Sequence, residues 1–324
     1  MKKFILAVAF CCLALFLVNC SATDRKDTSA LSHYIMGTMY DKLGDLNQAI
    51  DEYKKALKSD SGNSIIHLNL AASFIKNNDL DKAIEELKVT VGLDPEAIEP
   101  HAILALIYSL QNKADLATSE YELALKNASK KEPKNIDIYK SLGLVYLQQR
   151  NFTAAENIYR SVLDLAPSDA QAHYYLGNIY YELKNKQAAE RELKKAVEAK
   201  PDYAEALNFL GYFYVEENKN LDQAEVMIRK ALEMDPNNGA YIDSLGWLYF
   251  KRGKTEDALK ELKQAAQLTE DPEIYKHLGE VYFVSGDKAK AKENWEKSLK
   301  LNPQQEEIKK RIEECSPTAP KSKN

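Results

Sequence analysis

Apolar and polar positions recur in a fixed order along almost the whole chain, and the stretch from Ile136 to Asp169 shows that order most plainly. Counting Ile136 as position 1, Tyr139, Leu142, Gly143 and Tyr146 fall at positions 4, 7, 8 and 11. After a polar break, Ala155, Tyr159 and Val162 take positions 20, 24 and 27, and Pro167 takes position 32. At about 100° per residue the first four share one face of a helix and the next three share one face of a second. The two faces predict a hairpin in which Gly143 and Ala155 are small where the helices approach, Tyr146 and Tyr159 fill the remaining space, and Pro167 ends the second helix. Such a hairpin cannot bury its outer faces alone, so copies must stack.

The copies are present. In-phase repeats cover residues 30–305 as eight units, 30–63, 64–97, 98–135, 136–169, 170–203, 204–238, 239–271 and 272–305. The third delays its proline to Pro133; the four extra residues, about one helical turn, can lengthen its second helix without rotating the buried face. The sixth gains a residue in the turn around Glu217 to Leu221. Within 306–315, Ile308 and Ile312 stand four apart among charges, which predicts a helix capping the last hairpin, and 316–324 is a polar tail expected to be disordered.

These positions closely resemble the tetratricopeptide-repeat pattern. The resemblance implies an all-α fold, a right-handed α-solenoid superhelix of about eight helix hairpins plus the C-terminal capping helix. Composition agrees, since 12 Gly, 10 Pro and the lack of long β-branched alternations leave no source for a sheet.

The first twenty residues read differently. Lys2 and Lys3 precede an apolar run from Phe4 to Val18, then Asn19 and Cys20, the layout of a secretory signal. The run is short for a membrane span. Leu17 to Cys20 resembles a bacterial lipobox, with Asn19 where Gly, Ala or Ser is usual. That resemblance makes 1–19 a lipoprotein signal peptide, Cys20 the lipidated first residue and 20–29 a polar tether. An ordinary signal peptide or an uncleaved anchor is the alternative. Two or more acyl chains anchor stably where one does not. Ser21, in place of the Asp that marks inner-membrane retention in enteric bacteria, favours the outer membrane facing the periplasm. Cys11 and Cys12 would leave with the signal, and Cys315 then has no intramolecular partner, so no disulfide framework is expected.

Net charge is −5, more acidic still without Lys2 and Lys3, and no basic stripe offsets it, which argues against nucleic acid. His33, His67, His101 and His173 all occupy position 4, a packing position, and stacked repeats stand too far apart for them to share a metal. His277 stands apart from this series and is expected to be exposed. No H-E-x-x-H, G-x-S-x-G or phosphate-loop motif occurs, and acidic runs such as Glu85-Glu86 and Glu216-Glu217 read as solvated faces. The expectation is a protein without catalytic activity, cofactor, metal or small-molecule substrate.

Positions 2, 5, 9 and 12 of each first helix point away from the packing face. By the resemblance they line the concave groove where partner peptides lie. There the later repeats place Tyr174, Asn178, Tyr181, Glu205, Asn208, Tyr212, Asp243, Trp247, Phe250, Lys276, Glu280 and Phe283. Repeats two to four contribute Leu68, Ile75, Leu106, Leu144 and Leu147, some of which pack inward if the superhelix closes tightly. Aromatic side chains flanked by polar groups suit an extended segment, at about 2 kcal/mol for each central anchor. The two-lysine, two-asparagine clamp of chaperone-binding relatives is not visible. The sequence thus leads to a lipid-anchored periplasmic scaffold that binds a protein partner in its groove, in envelope assembly, secretion or pilus biogenesis. An adaptor or regulatory subunit of an envelope protease or glycan hydrolase is the alternative.

Overall fold

A computed structural model of the protein describes residues 28–315. The signal segment, Cys20 and the tail 316–324 lie outside the described residues, as does most of the tether. The chain forms two compact units, divided between Gln149 and Arg150.

The first unit contains α1 (28–43), α2 (Leu46–Ser59), α3 (Ser64–Lys76), α4 (Leu80–Leu93), α5 (Glu99–Leu110), α6 (Ala114–Lys131) and α7 (Ile136–Gln148). The second contains α8 (Phe152–Leu165), α9 (Ala170–Glu182), α10 (Lys186–Ala199), α11 (Ala204–Glu216), α12 (Leu221–Met234), α13 (Gly239–Lys251), α14 (Thr255–Leu268), α15 (Pro272–Val284), α16 (Lys288–Leu301) and α17 (Glu306–Cys315). The described residues are all-α, and within each unit consecutive helices form antiparallel hairpins. None of these helices is long and apolar enough to cross a membrane.

Local chemistry sets the helix ends. Side chains of Asp45, Asn63, Asn151, Asp169, Asn185, Asn238 and Asp287 accept backbone N–H groups from the first turns they precede. Each first helix stops at a residue in the left-handed region, which lets two successive N–H groups bond back to the last turn. Asn78 N–H donates to Ile75 and Asp79 N–H to Phe74, for example. Gly44, Gly253 and Gly286 hold that position without strain; Asn78, Asn112 and Asn218 tolerate it, and Arg150 and Lys184 adopt it too. The extra residue in the sixth turn is accommodated by a second left-handed residue, Asn220. The four added residues of the third repeat lengthen α6 to 18 residues where the other second helices have 14.

Packing inside the hairpins is tight. In the first unit Tyr53, Leu70, Phe74, Leu87 and Leu104 form the core. In the second, Leu262, Leu278, Trp295 and Ile308 do, so α17 contributes to the interior of the last hairpin through Ile308. A Cβ at Gly279 would stand 2.2 Å from the Trp295 ring, which is why the small residue is needed at that crossing.

The four histidines at position 4 link the two helices of their own hairpins. Each Nδ1 bonds a glutamate nineteen residues on, Glu52, Glu86 and Glu120 at 2.6 Å and Glu192 at 2.8 Å. Glu86 is therefore engaged with His67 and is not a member of a solvated face. At Glu192 burial raises the carboxyl pKa, but hydrogen bonds from Arg191 and His173 and the charge of Lys195 outweigh it, so the group lies below its ordinary 4.5. A depressed carboxylate contributes stability above the ordinary value and loses it as pH falls through the folded one. Acidification below the ordinary carboxylate range is thus expected to lower amide protection in α9 and α10, taken relative to intrinsic exchange at the same pH. Glu192→Gln should abolish that acid-dependent loss, measured by exchange mass spectrometry, and an unchanged loss would count against the pairing.

Candidate functional site

Within the second unit the first helices depart from simple side-by-side spacing, since α11 packs directly on α13, and α13 on α15. Their outward faces, with the end of α9, enclose an open trough of about 500 Å³. Tyr181, Glu182 and Lys184 come from the end of α9, and Asn208, Phe209 and Tyr212 from α11. Asp243 and Ser244 come from α13, while Asp271, Glu273 and Lys276 come from the start of α15 and the residue before it.

The aromatic wall is built on edge-to-face contacts. Tyr181 meets Phe209 at 5.4 Å between centroids, and Tyr174 braces Phe209 from the other side at 6.0 Å while touching Tyr203 at 5.3 Å. Burial pushes the Tyr174 and Tyr181 phenols up to about 12, so both stay protonated donors. The polar wall centres on Glu273, which accepts Lys276 Nζ at 2.5 Å and the Tyr212 hydroxyl at 3.4 Å. Burial raises the Glu273 pKa, but the charges of His277 and Lys276 outweigh it and hold the carboxyl below its usual range. Tyr212 is pushed well above 10 by burial and by the Glu273 charge.

Beneath this wall lies a buried polar layer. His277 is fully buried, its Nδ1 bonds both carboxylate oxygens of Asp243 at 2.9 and 3.0 Å, and its ring stacks on Trp247 at 4.0 Å. Trp247 Nε1 donates to Glu216 at 2.5 Å. Burial pushes the Asp243 carboxyl up, against the pull of His277.

Five of the groove residues expected from the sequence therefore meet in one trough: Tyr181, Asn208, Tyr212, Asp243 and Lys276. Tyr174 supports its wall, and Asn178 is half-buried on α9. Others are placed differently. Trp247 is not an exposed anchor; it is 7 % exposed, because the close approach of α11 and α15 covers its indole. Phe250 stacks on Trp247 at 5.0 Å. Glu280 and Phe283 are engaged by α17, with Arg311 forming two hydrogen bonds to the Glu280 carboxylate and lying over the Phe283 ring. His277 is buried, contrary to the expectation of exposure, and Glu216 serves Trp247. In the first unit Leu106 and Leu144 are exposed, while Leu68, Ile75 and Leu147 are half-buried.

Sequence reasoning missed Phe209, Glu273 and His277. Glu273 stands at position 2 of its repeat and belonged to the same face rule. Phe209 and His277 stand at position 6, one residue beyond the face considered, and a 34-residue offset between Asp243 and His277 was the available signal for their pairing.

Among the described residues no group of three or more His, Cys, Asp or Glu side chains is arranged to hold a metal ion.

Comparison with known proteins fits this architecture. Residues 101–323 match the sequence model described as the C-terminal domain of cilia and flagella-associated protein 70, and residues 42–107 match a tetratricopeptide-repeat model. The chain belongs to the tetratricopeptide-repeat family, in the group that the first of these models describes. A tetratricopeptide-repeat protein from Parabacteroides merdae is 21 % identical, with a TM-score of 0.60 over 78 % of this chain and 98 % of that one. The Cut9-Hcn1 hetero-tetramer of APC/C is 18 % identical, with a TM-score of 0.58 over 84 % of this chain and 53 % of that one. At such identities the likeness is one of fold. No match was found among curated proteins. The fold is that of a protein-interaction scaffold, and repeats of this family generally serve without catalysis.

Proposed function

We propose that the protein is a non-enzymatic scaffold that holds an extended segment of a partner polypeptide in the trough formed by α9, α11, α13 and α15. One observation carries this reading: an open cavity walled by half-buried aromatic side chains on one flank and by a charged cluster on the other, at one end of a repeat array. The same trough sets aromatic rings beside charged and amide groups, the mix that suits an amphipathic segment of a partner.

The sequence of residues 1–20 supports the second half of the proposal. A lipid on Cys20 would tether the array to a membrane, on the periplasmic side of the outer membrane, with the polar residues that follow as a leash. Envelope assembly, secretion and pilus biogenesis are settings that such a tethered scaffold would suit.

A photoreactive residue at exposed Ala240, on the trough rim, is expected to capture a partner in cells, while one at exposed Gln264 of α14 captures none. Tyr212→Ala should then lower the Ala240 yield by about tenfold or more, as for a central anchor. Equal capture at both sites, or none at Ala240, would remove the trough from the account.

A further inference from the structure

The trough is short of positive charge and short of donors. Four carboxyl groups line it, from Glu182, Asp243, Asp271 and Glu273, against two ammonium groups, from Lys184 and Lys276; Asp243 is buried and engaged by His277, and the other three can meet a ligand. The Lys276 ammonium and the Tyr212 hydroxyl both donate to the same oxygen of Glu273. On the wall itself, buried Asn208 Oδ1 has no hydrogen-bond partner. A buried acceptor of this kind is costly unless a donor arrives. The rings of Tyr181, Phe209 and Tyr212 add negative π faces beside the carboxylates.

We propose that the trough receives a basic side chain, arginine in preference to lysine, carried by an extended segment of the partner polypeptide. This rests on the trough being the partner site. A guanidinium offers five donors in a plane, enough to serve Glu273 and Asn208 together while lying flat on an aromatic face, and a lysine ammonium offers a compact point charge that serves fewer of them. Lys276 is the internal stand-in: it holds Glu273 until the partner's cation competes for the same carboxylate. An acidic segment would meet the carboxylates of Glu182, Asp271 and Glu273, with Lys276 already paired to Glu273 and Lys184 the other cation on the lining.

The test uses the full chain and fluorescein-labelled nonapeptides with a Gly-Ser background and three arginines at alternate positions, alongside matched lysine, glutamate and unsubstituted peptides. The arginine peptide is expected to bind about tenfold or more tighter than the glutamate and unsubstituted peptides, with lysine between. Glu273→Gln should erase that advantage. Lys276→Met, which removes the competitor, should strengthen arginine binding by about threefold or more; a gain of binding cannot arise from misfolding. Tighter binding of the glutamate peptide, no binding of any peptide, or an arginine advantage that survives Glu273→Gln would overturn the proposal. If Ala240 still captures a partner in cells while the arginine peptide shows no preference, the trough keeps its role and only the basic specificity falls.

Discussion

Trp247→Ala is expected to destabilise the second unit by about 3–5 kcal/mol, the range for deleting a large buried aromatic. The indole is 7 % exposed, it stacks on His277 at an interplanar angle of 12° and on Phe250, and its N–H is donated to Glu216. Truncation removes the ring's packing, leaves a cavity between α11, α13 and α15, and deprives a carboxylate of its donor. Because stacked repeats need not unfold as one, the loss is best read locally, as faster amide exchange in α13 and α15 with α3 and α4 unchanged. A loss below about 1 kcal/mol would show that the indole is held on the surface.

The second large effect concerns the pair beneath the trough. Asp243 is 5 % exposed and His277 is fully buried, and Asp243 supplies the two oxygens that meet His277 Nδ1. Asp243→Ala should cost about 3–5 kcal/mol, because the ring keeps its burial and loses its partner. Replacing both residues by leucine should recover most of that loss, since the desolvation of two polar groups disappears with them. Urea unfolding of the single and double variants, followed through α13 and α15 by exchange, measures the coupling. Additive losses in the double variant would show that the two side chains do not act as a pair.

Much of the fold was legible because buried positions recur in phase. An apolar residue at position 4, 7, 8 or 11 generally faces the partner helix, Met36 of the first repeat being exposed, so hairpins follow from the spacing. The long α6 and the extra turn residue at Asn220 were legible for the same reason. Arg150 and Lys184 in the left-handed region were not, since neither residue type favours it. The trough was half legible. Angular position alone puts Tyr181, Asn208, Tyr212, Asp243 and Lys276 on the face that forms the trough, but it carries no information on the distance between neighbouring first helices. Where α11, α13 and α15 draw together, an outward-pointing indole is covered and becomes core, and this is why Trp247 was misread. Glu280 and Phe283 failed for a related reason, because the last hairpin has α17, not a further repeat, as its neighbour.

The histidine–glutamate links at His33, His67, His101 and His173 each close inside a single hairpin. Those links stay within one repeat, whereas the ion pairs that join these repeats, such as Lys76 with Asp41 and Lys130 with Glu96, involve lysines that water reaches. The bonds from Trp247 to Glu216 and from His277 to Asp243 instead cross from one hairpin to the next. Removal of either repeat there would leave a buried donor or carboxylate with neither its partner nor water to replace it, so the cost of changing copy number is expected to be higher at that end than at seams held by exposed lysines.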